Sequence, residues 1–168
     1  MSVLQIKLLG GFSVHLADQP LTKFRSDKAR ALLAYLAAQP DRDHARTTLA
    51  TLLWGDLPDS SAKTNLRIEL SNLNKLLADH PALVIERNSV RFQRTLATVD
   101  VVTFQDALTT FGGLPAEAQP TQLANLVTAL DLYQGEFLVG FHLSDAIEFG
   151  EWQLLSQEQW HEQAMQAL

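Results

Sequence analysis

With 168 residues, 46% of them hydrophobic, the chain has enough apolar side chain for one or two domains; lacking cysteine, it has neither a disulfide framework nor a thiolate metal site, so a cytoplasmic setting is expected. No run approaches the roughly 18 apolar residues of a membrane span, and the start lacks the charged-then-apolar order of a signal peptide, so a soluble protein with no membrane partner is expected. The net charge of -6 argues by itself against a nucleic-acid partner, but it is unevenly divided: all 13 Lys and Arg lie between Lys7 and Arg94 beside nine acids, leaving +4, while residues 95–168 hold ten acids and no Lys or Arg, leaving -10. Halves this different suggest two domains with two kinds of partner, the first able to meet nucleic acid.

In chain order, Val3 to Leu9 and Phe12 to Leu16 alternate in polarity around Gly10-Gly11, which predicts an N-terminal β-hairpin closed by a two-residue turn. A short edge strand is expected around Leu21 to Phe24. Ser26 is a good N-cap for a helix over Ala29–Ala38, with Leu32, Leu33, Tyr35 and Leu36 turned inward, and Gln39-Pro40-Asp41 ends it. Arg46-Thr47-Thr48 opens a second helix bearing Leu49, Leu52, Leu53 and Trp54. After Gly55-Asp56-Leu57-Pro58 a long helix begins near Ser60, and its Leu66, Leu70, Leu73 and Leu77 fall at three- and four-residue steps. The opposite face carries Ser61, Thr64, Asn65, Ile68, Ser71, Asn72 and Lys75, with Arg67 at its border. Past His80-Pro81, Leu83 and Ile85, a turn at Arg87-Asn88-Ser89, then Val90 and Phe92 predict a second hairpin. A sheet, three helices and a hairpin in that order make a winged helix, whose third helix can enter the major groove of double-stranded DNA while the wing reaches the neighbouring backbone or minor groove.

On that reading Thr64, Asn65, Arg67, Ile68, Ser71 and Asn72 are the candidates to meet base edges, with Lys75 on the same face. Arg46, Thr47 and Thr48 would offer a helix start to phosphate, and Arg87, Asn88 and Arg91 would touch phosphates from the wing. Each has a plainer alternative: a solvated helix face, ordinary capping, a merely polar turn. Ile68 could meet a thymine methyl or a subunit, and Arg67 could fold back onto Asp56 or Glu69. Lys28 and Arg30 read as a solvated pair.

The second half is helical in pattern. Val101 to Phe111 forms one helix, stopped by Gly112-Gly113-Leu114-Pro115. Thr121 would cap another bearing Leu123, Leu126, Val127, Leu130 and Tyr133, stopped at Gly135. A last helix starts near Ser144 or Asp145 and runs through Phe149, Trp152, Leu155, Trp160 and Ala164. Its pattern is still running at Leu168, so a longer natural protein is expected. Enzyme chemistry finds no support: no phosphate-binding glycine loop, nucleophile elbow or zinc-helix motif is present, and the five histidines have no ligand spacing. Asp145, Glu148 and Glu151 could hold a cation, although a solvated acidic face is the commoner meaning. No cofactor and no metal are expected.

Leu8-Leu-Gly-Gly-Phe-Ser-Val14, Ser26-Asp-Lys-Ala-Arg-Ala-Leu-Leu-Ala-Tyr-Leu36, Leu53-Trp-Gly-Asp56 and Asn65-Leu-Arg67 leading to Leu70-Ser-Asn-Leu73 resemble the N-terminal domain of the Streptomyces antibiotic regulatory protein (SARP) family. Val99-Asp-Val101, Phe104, Ala129 to Leu138 and Glu151-Trp152 resemble the bacterial transcriptional activator domain that follows it. The resemblance implies an α+β chain. Residues 1–95 would form an OmpR/PhoB-like winged helix with an N-terminal antiparallel sheet of four strands ahead of the helices. Residues 97–168 would begin an all-α domain of tetratricopeptide-like helical hairpins. A transcription activator is expected; one winged helix contacts few base pairs, so a homodimer on repeated half-sites is expected, which the resemblance suggests are direct repeats bound head to tail, and the acidic second domain, oriented away from the duplex, is expected to support dimerisation or contact RNA polymerase. Where the family commonly has basic residues after the third-helix serine, this chain has Asn72 and Asn74. Every phosphate left without its cation flattens the log–log salt dependence of binding by roughly one unit. The alternative function is therefore a non-enzymatic interaction module whose winged helix no longer binds DNA.

Overall fold

The computed structural model describes residues 2–112, 124 and 127–167. Strand β1 (Leu4–Lys7) pairs antiparallel with β2 (Ser13–Leu16), Leu4 opposite Leu16 and Lys7 opposite Ser13, and β2 pairs antiparallel with β3 (Gln19–Pro20). The third strand therefore comes earlier than the one expected at Leu21 to Phe24. Ala17 and Asp18 join it to β2 in a two-residue turn, with φ of 52° and 64°. Both central residues in the left-handed region is the geometry that matches the twist of a tight hairpin.

Gly10-Gly11 does not make such a turn: residues 8–12 separate β1 from β2. The two glycines do hold positive φ, 90° and 125°. Their neighbours are claimed by distant chain. The N–H groups of Leu8 and Leu9 donate to the Asp100 carboxylate, Leu9 bridges to Phe137, the Gly10 N–H donates to the Glu136 carbonyl, and the Leu138 N–H donates to the Leu8 carbonyl. A hairpin read from local alternation cannot register a competitor ninety residues away.

Three helices follow. α1 (Asp27–Ala38) is capped as expected, the Ala29 N–H donating to Ser26 Oγ at 3.1 Å. α2 spans Arg46–Trp54 and α3 spans Asp59–Leu76. Leu32, Leu33 and Leu36 of α1, Leu49 and Leu53 of α2, and Leu66, Leu70 and Leu73 of α3 are buried together, each at the spacing its helix requires to keep one face inward; Tyr35 is half-buried. The wing is a three-stranded sheet: β4 (His44–Ala45), β5 (Leu83–Ile85) and β6 (Ser89–Phe92), with β6 in the middle.

After a 3₁₀ turn at Arg94–Leu96, β7 (Thr98–Val99) pairs parallel with β1, Ile6 opposite Val99. The N-terminal sheet is thus β3-β2-β1-β7, a mixed sheet whose fourth strand follows the wing instead of preceding the helices. α4 (Asp100–Gly112) begins at once, residues 127–130 are helical, and α5 runs over Ile147–Ala167, two or three residues later than the sequence suggested. The expected stop at Gly113-Leu114-Pro115 and the expected cap and first residues at Thr121, Leu123 and Leu126 lie outside the described residues.

A half-buried aromatic pair, Tyr35 with Trp152, joins the two halves, and further pairs extend from it within the second. Trp152 of α5 meets Tyr35 of α1 edge-on at 4.8 Å between ring centroids and Phe137 at 5.5 Å, while Phe104 meets Trp160 at 6.0 Å. Pairs of this geometry stabilise by about 0.5–1.5 kcal/mol beyond the area they bury. Among the described residues no helix is long and apolar enough to cross a membrane.

Candidate nucleic-acid interface

The wing is tied to the helices by one arginine. The Arg46 N–H donates to the Asn88 carbonyl at 3.0 Å and its Nε donates to the Glu86 carbonyl at 2.9 Å, so the first residue of α2 holds the Arg87-Asn88 turn in place. The residue before α2 is Ala45, in extended backbone, and no side chain caps the helix. Of the first-turn N–H groups of α2, that of Arg46 is taken by Asn88, and those that follow receive no side-chain cap, in the place where the helix dipole favours an anion.

Side chains from three elements converge there. Arg46 and Thr47 of α2, Lys63, Thr64 and Arg67 of α3, and Arg87 and Asn88 of the wing turn line one concave surface with Ala45 and Leu66. Six of the residues expected from sequence are therefore brought together. Lys63 joins them, although it did not stand out in the sequence; the available signal was its place four residues, one turn, ahead of Arg67 on the same flank. Among the described residues no carboxylate lines the surface, and Arg67 forms no ion pair with Asp56 or Glu69. Glu69 is buried and accepts from Ser26 Oγ at 3.2 Å, with Arg25 Nε at 3.7 Å.

The remaining candidates are dispersed. Thr48 is exposed beside the α2 start, and Ser71 and Lys75 are exposed on the outward face of α3. The Thr64 hydroxyl donates to the Ser60 carbonyl and the Asn72 amide donates to the Ile68 carbonyl, each at 2.9 Å, so Asn72 is folded back on its own helix. Asn74 donates to Asp79 at 2.8 Å. Arg91 lies on the middle strand of the wing, not in its turn, and reaches Asp43 through Nε at 3.0 Å and Nη2 at 2.9 Å.

Asn65 and Ile68 face a different cleft, on the other flank of α3, lined also by Arg25, Lys28, Trp54, Glu69 and Asp145. Lys28 is no solvated residue: its Nζ lies 3.1 Å from Asp145 and 5.3 Å from the centre of the Trp54 ring. Arg30 pairs with Asp27 at 2.8 Å and lies over Phe24. The two flanks of α3 thus differ in charge, cationic toward the wing and mixed toward the acidic half.

Two buried titratable groups lie away from these surfaces. Burial holds His44 of β4 below the ordinary imidazole value, against the opposing hydrogen bond of its Nε2 with the Gln39 carbonyl at 3.0 Å. Burial raises the Asp100 carboxyl, offset by the N–H groups of Leu9, Leu8 and Val101. Among the described residues no cluster of three or more His, Asp or Glu could hold a metal ion.

No family model matches the chain. Over 136 residues it is 29% identical to the regulatory protein AfsR of Streptomyces coelicolor, a match covering 77% of this chain and 14% of AfsR. Its fold superposes on EmbR of Mycobacterium tuberculosis, solved in complex with a low-affinity phosphopeptide, with a TM-score of 0.79 at 23% identity, covering 99% of this chain and 44% of that one. The chain therefore spans a small part of AfsR and under half of EmbR. The chain is thus similar in sequence to AfsR and shares with EmbR its fold, a winged helix with a sheet beside it and helices behind it.

Proposed function

We propose that the chain is a sequence-specific DNA-binding transcription regulator, most plainly an activator, and not an enzyme. The observation that carries this reading is the convergence of Arg46, Lys63, Arg67 and Arg87 from α2, α3 and the wing turn on one surface that no carboxylate lines among the described residues. Phosphates held by these cations and by the uncapped start of α2 would set the register. Thr64 and Arg67, with Ser71 further along α3, would then sample base edges. Residues 1–95 would bind DNA and residues 97–168 would bind protein, either RNA polymerase or a second copy. One winged helix reads few base pairs, so two copies on repeated half-sites are expected.

The test is selection from a randomised duplex pool, followed by anisotropy on the enriched sequence at about 50 and 200 mM salt. Enrichment of a repeated motif, with affinity falling steeply as salt rises, supports the reading. Folded protein that enriches nothing sinks it in favour of an interaction module. That second reading draws on the Asn72 amide turned onto its own helix and on Arg91 held by Asp43, two candidates that each already direct hydrogen bonds within the chain.

A further inference from the structure

The wing turn does not close itself. Glu86 and Ser89 flank Arg87 and Asn88, and the Glu86 N–H donates to the Ser89 carbonyl at 2.9 Å. A two-residue turn matches the twist of its strands when at least its first central residue takes positive φ, as both Ala17 and Asp18 do between β2 and β3. Neither Arg87 nor Asn88 has positive φ, and a turn without it splays the strands it joins. Two of its carbonyls are engaged from outside. That of Glu86, placed to accept the bond that closes a β-turn, takes Arg46 Nε at 2.9 Å, and that of Asn88 takes the Arg46 N–H at 3.0 Å. Glu86, Arg87 and Asn88 are themselves exposed, so no core packing holds them.

The tie comes from the far side of the wing. β4 pairs with β6, Ala45 opposite Ser89, so α2 begins one residue beyond that ladder and its first residue reaches both ends of the turn. Arginine suits the task. Its Nε is a donor fixed part-way along the side chain, and Arg46 also lines the concave surface beside Arg87. Lysine has the same charge, but its donors all sit on a mobile ammonium at the tip. We propose that Arg46 is a positioning residue: by holding the Glu86 and Asn88 carbonyls it fixes the wing turn in the pose that presents Arg87 to the concave surface. What Arg87 then meets, a phosphate, rests on the DNA reading; the pose of the turn does not.

The test has two arms, both on the 168-residue chain. In the first, amide hydrogen exchange is followed by NMR, with no ligand, for the unsubstituted chain and Arg46→Lys. The N–H groups of Glu86 and of position 46 should exchange about fivefold faster in Arg46→Lys, as for loss of one hydrogen bond of ordinary strength, while those of α1 are unchanged. In the second, the affinity of a mixed-sequence duplex at low salt is measured for the unsubstituted chain, Arg46→Lys, Arg87→Ala and the double variant. Arg87→Ala should weaken binding, and the factor by which it does so should shrink roughly twofold or more once Arg46→Lys is present, because a loose turn no longer holds Arg87 in place. An Arg46 that supplied only charge, or its own phosphate contact, would give independent effects. Unchanged exchange in Arg46→Lys overturns the proposal, and so do independent effects in the duplex cycle. Absence of duplex binding by the unsubstituted chain sinks the DNA reading, and the exchange arm then decides by itself whether Arg46 positions the turn.

Discussion

The carboxylate of Asp100 accepts the Leu8 N–H at 2.9 Å through one oxygen and at 3.0 Å through the other, across 92 residues of sequence. It also accepts from Leu9 and Val101 at 2.9 and 2.8 Å. One side chain at the head of α4 thus satisfies the backbone where β1 leaves its hairpin. Asp100→Asn keeps one carbonyl oxygen for these donors and turns an NH₂ group toward them. A loss of about 1–3 kcal/mol in denaturant unfolding is expected. Because burial raises the folded Asp100 value above 3.8, its titration contributes stability that is full below that value and is lost as pH rises through the folded value. The advantage of the unsubstituted chain over Asp100→Asn should therefore shrink as pH is raised from 3.8.

His44 has the opposite sign. Its folded value lies below 6.5, so the neutral ring is favoured in the native state, and its contribution is present above 6.5 and lost as pH falls through the folded value. Urea midpoints should decline on acidification below 6.5, and the decline should be smaller in His44→Gln.

Arg67 and Arg91 separate the two sides of the wing. Arg67→Ala should weaken duplex binding and lower the log–log salt slope by roughly one unit. Arg91→Ala should leave that slope unchanged, its partner being Asp43, and change stability by less than about 1 kcal/mol, as exposed ion pairs do. Equal effects of the two substitutions on the slope would show that the phosphates do not follow the concave surface.

Ala17 sits at φ 52° in the turn between β2 and β3. Its Cβ is crowded in a left-handed conformation that asparagine tolerates. Ala17→Asn should raise thermal stability by a few tenths to about 1 kcal/mol.

The three helices, the cap at Ser26, the wing hairpin and the winged-helix order were all legible in the chain, because 3.6- and 2-residue periodicities and capping act over a few neighbouring residues. So was the division of charge between the halves, which is additive and needs no coordinates. The path of the chain after β1 was not legible: Gly10-Gly11 has the composition of a tight turn, but hydrogen bonds accepted by Asp100 and Glu136 and donated by Leu138 outweigh it, and these partners meet only when the sheet and α4 pack. The fourth strand of the N-terminal sheet was misplaced for the same reason, since two residues at 98–99 become a strand only by lying beside β1. On α3 the periodicity defined one polar face and could not divide it; the wing and the acidic half do so by standing on either side, placing Lys63 and Arg67 on one flank and Asn65 and Ile68 on the other. Local repeats determine which residues face inward, whereas which outward residues share a surface depends on distant elements that only tertiary packing brings alongside.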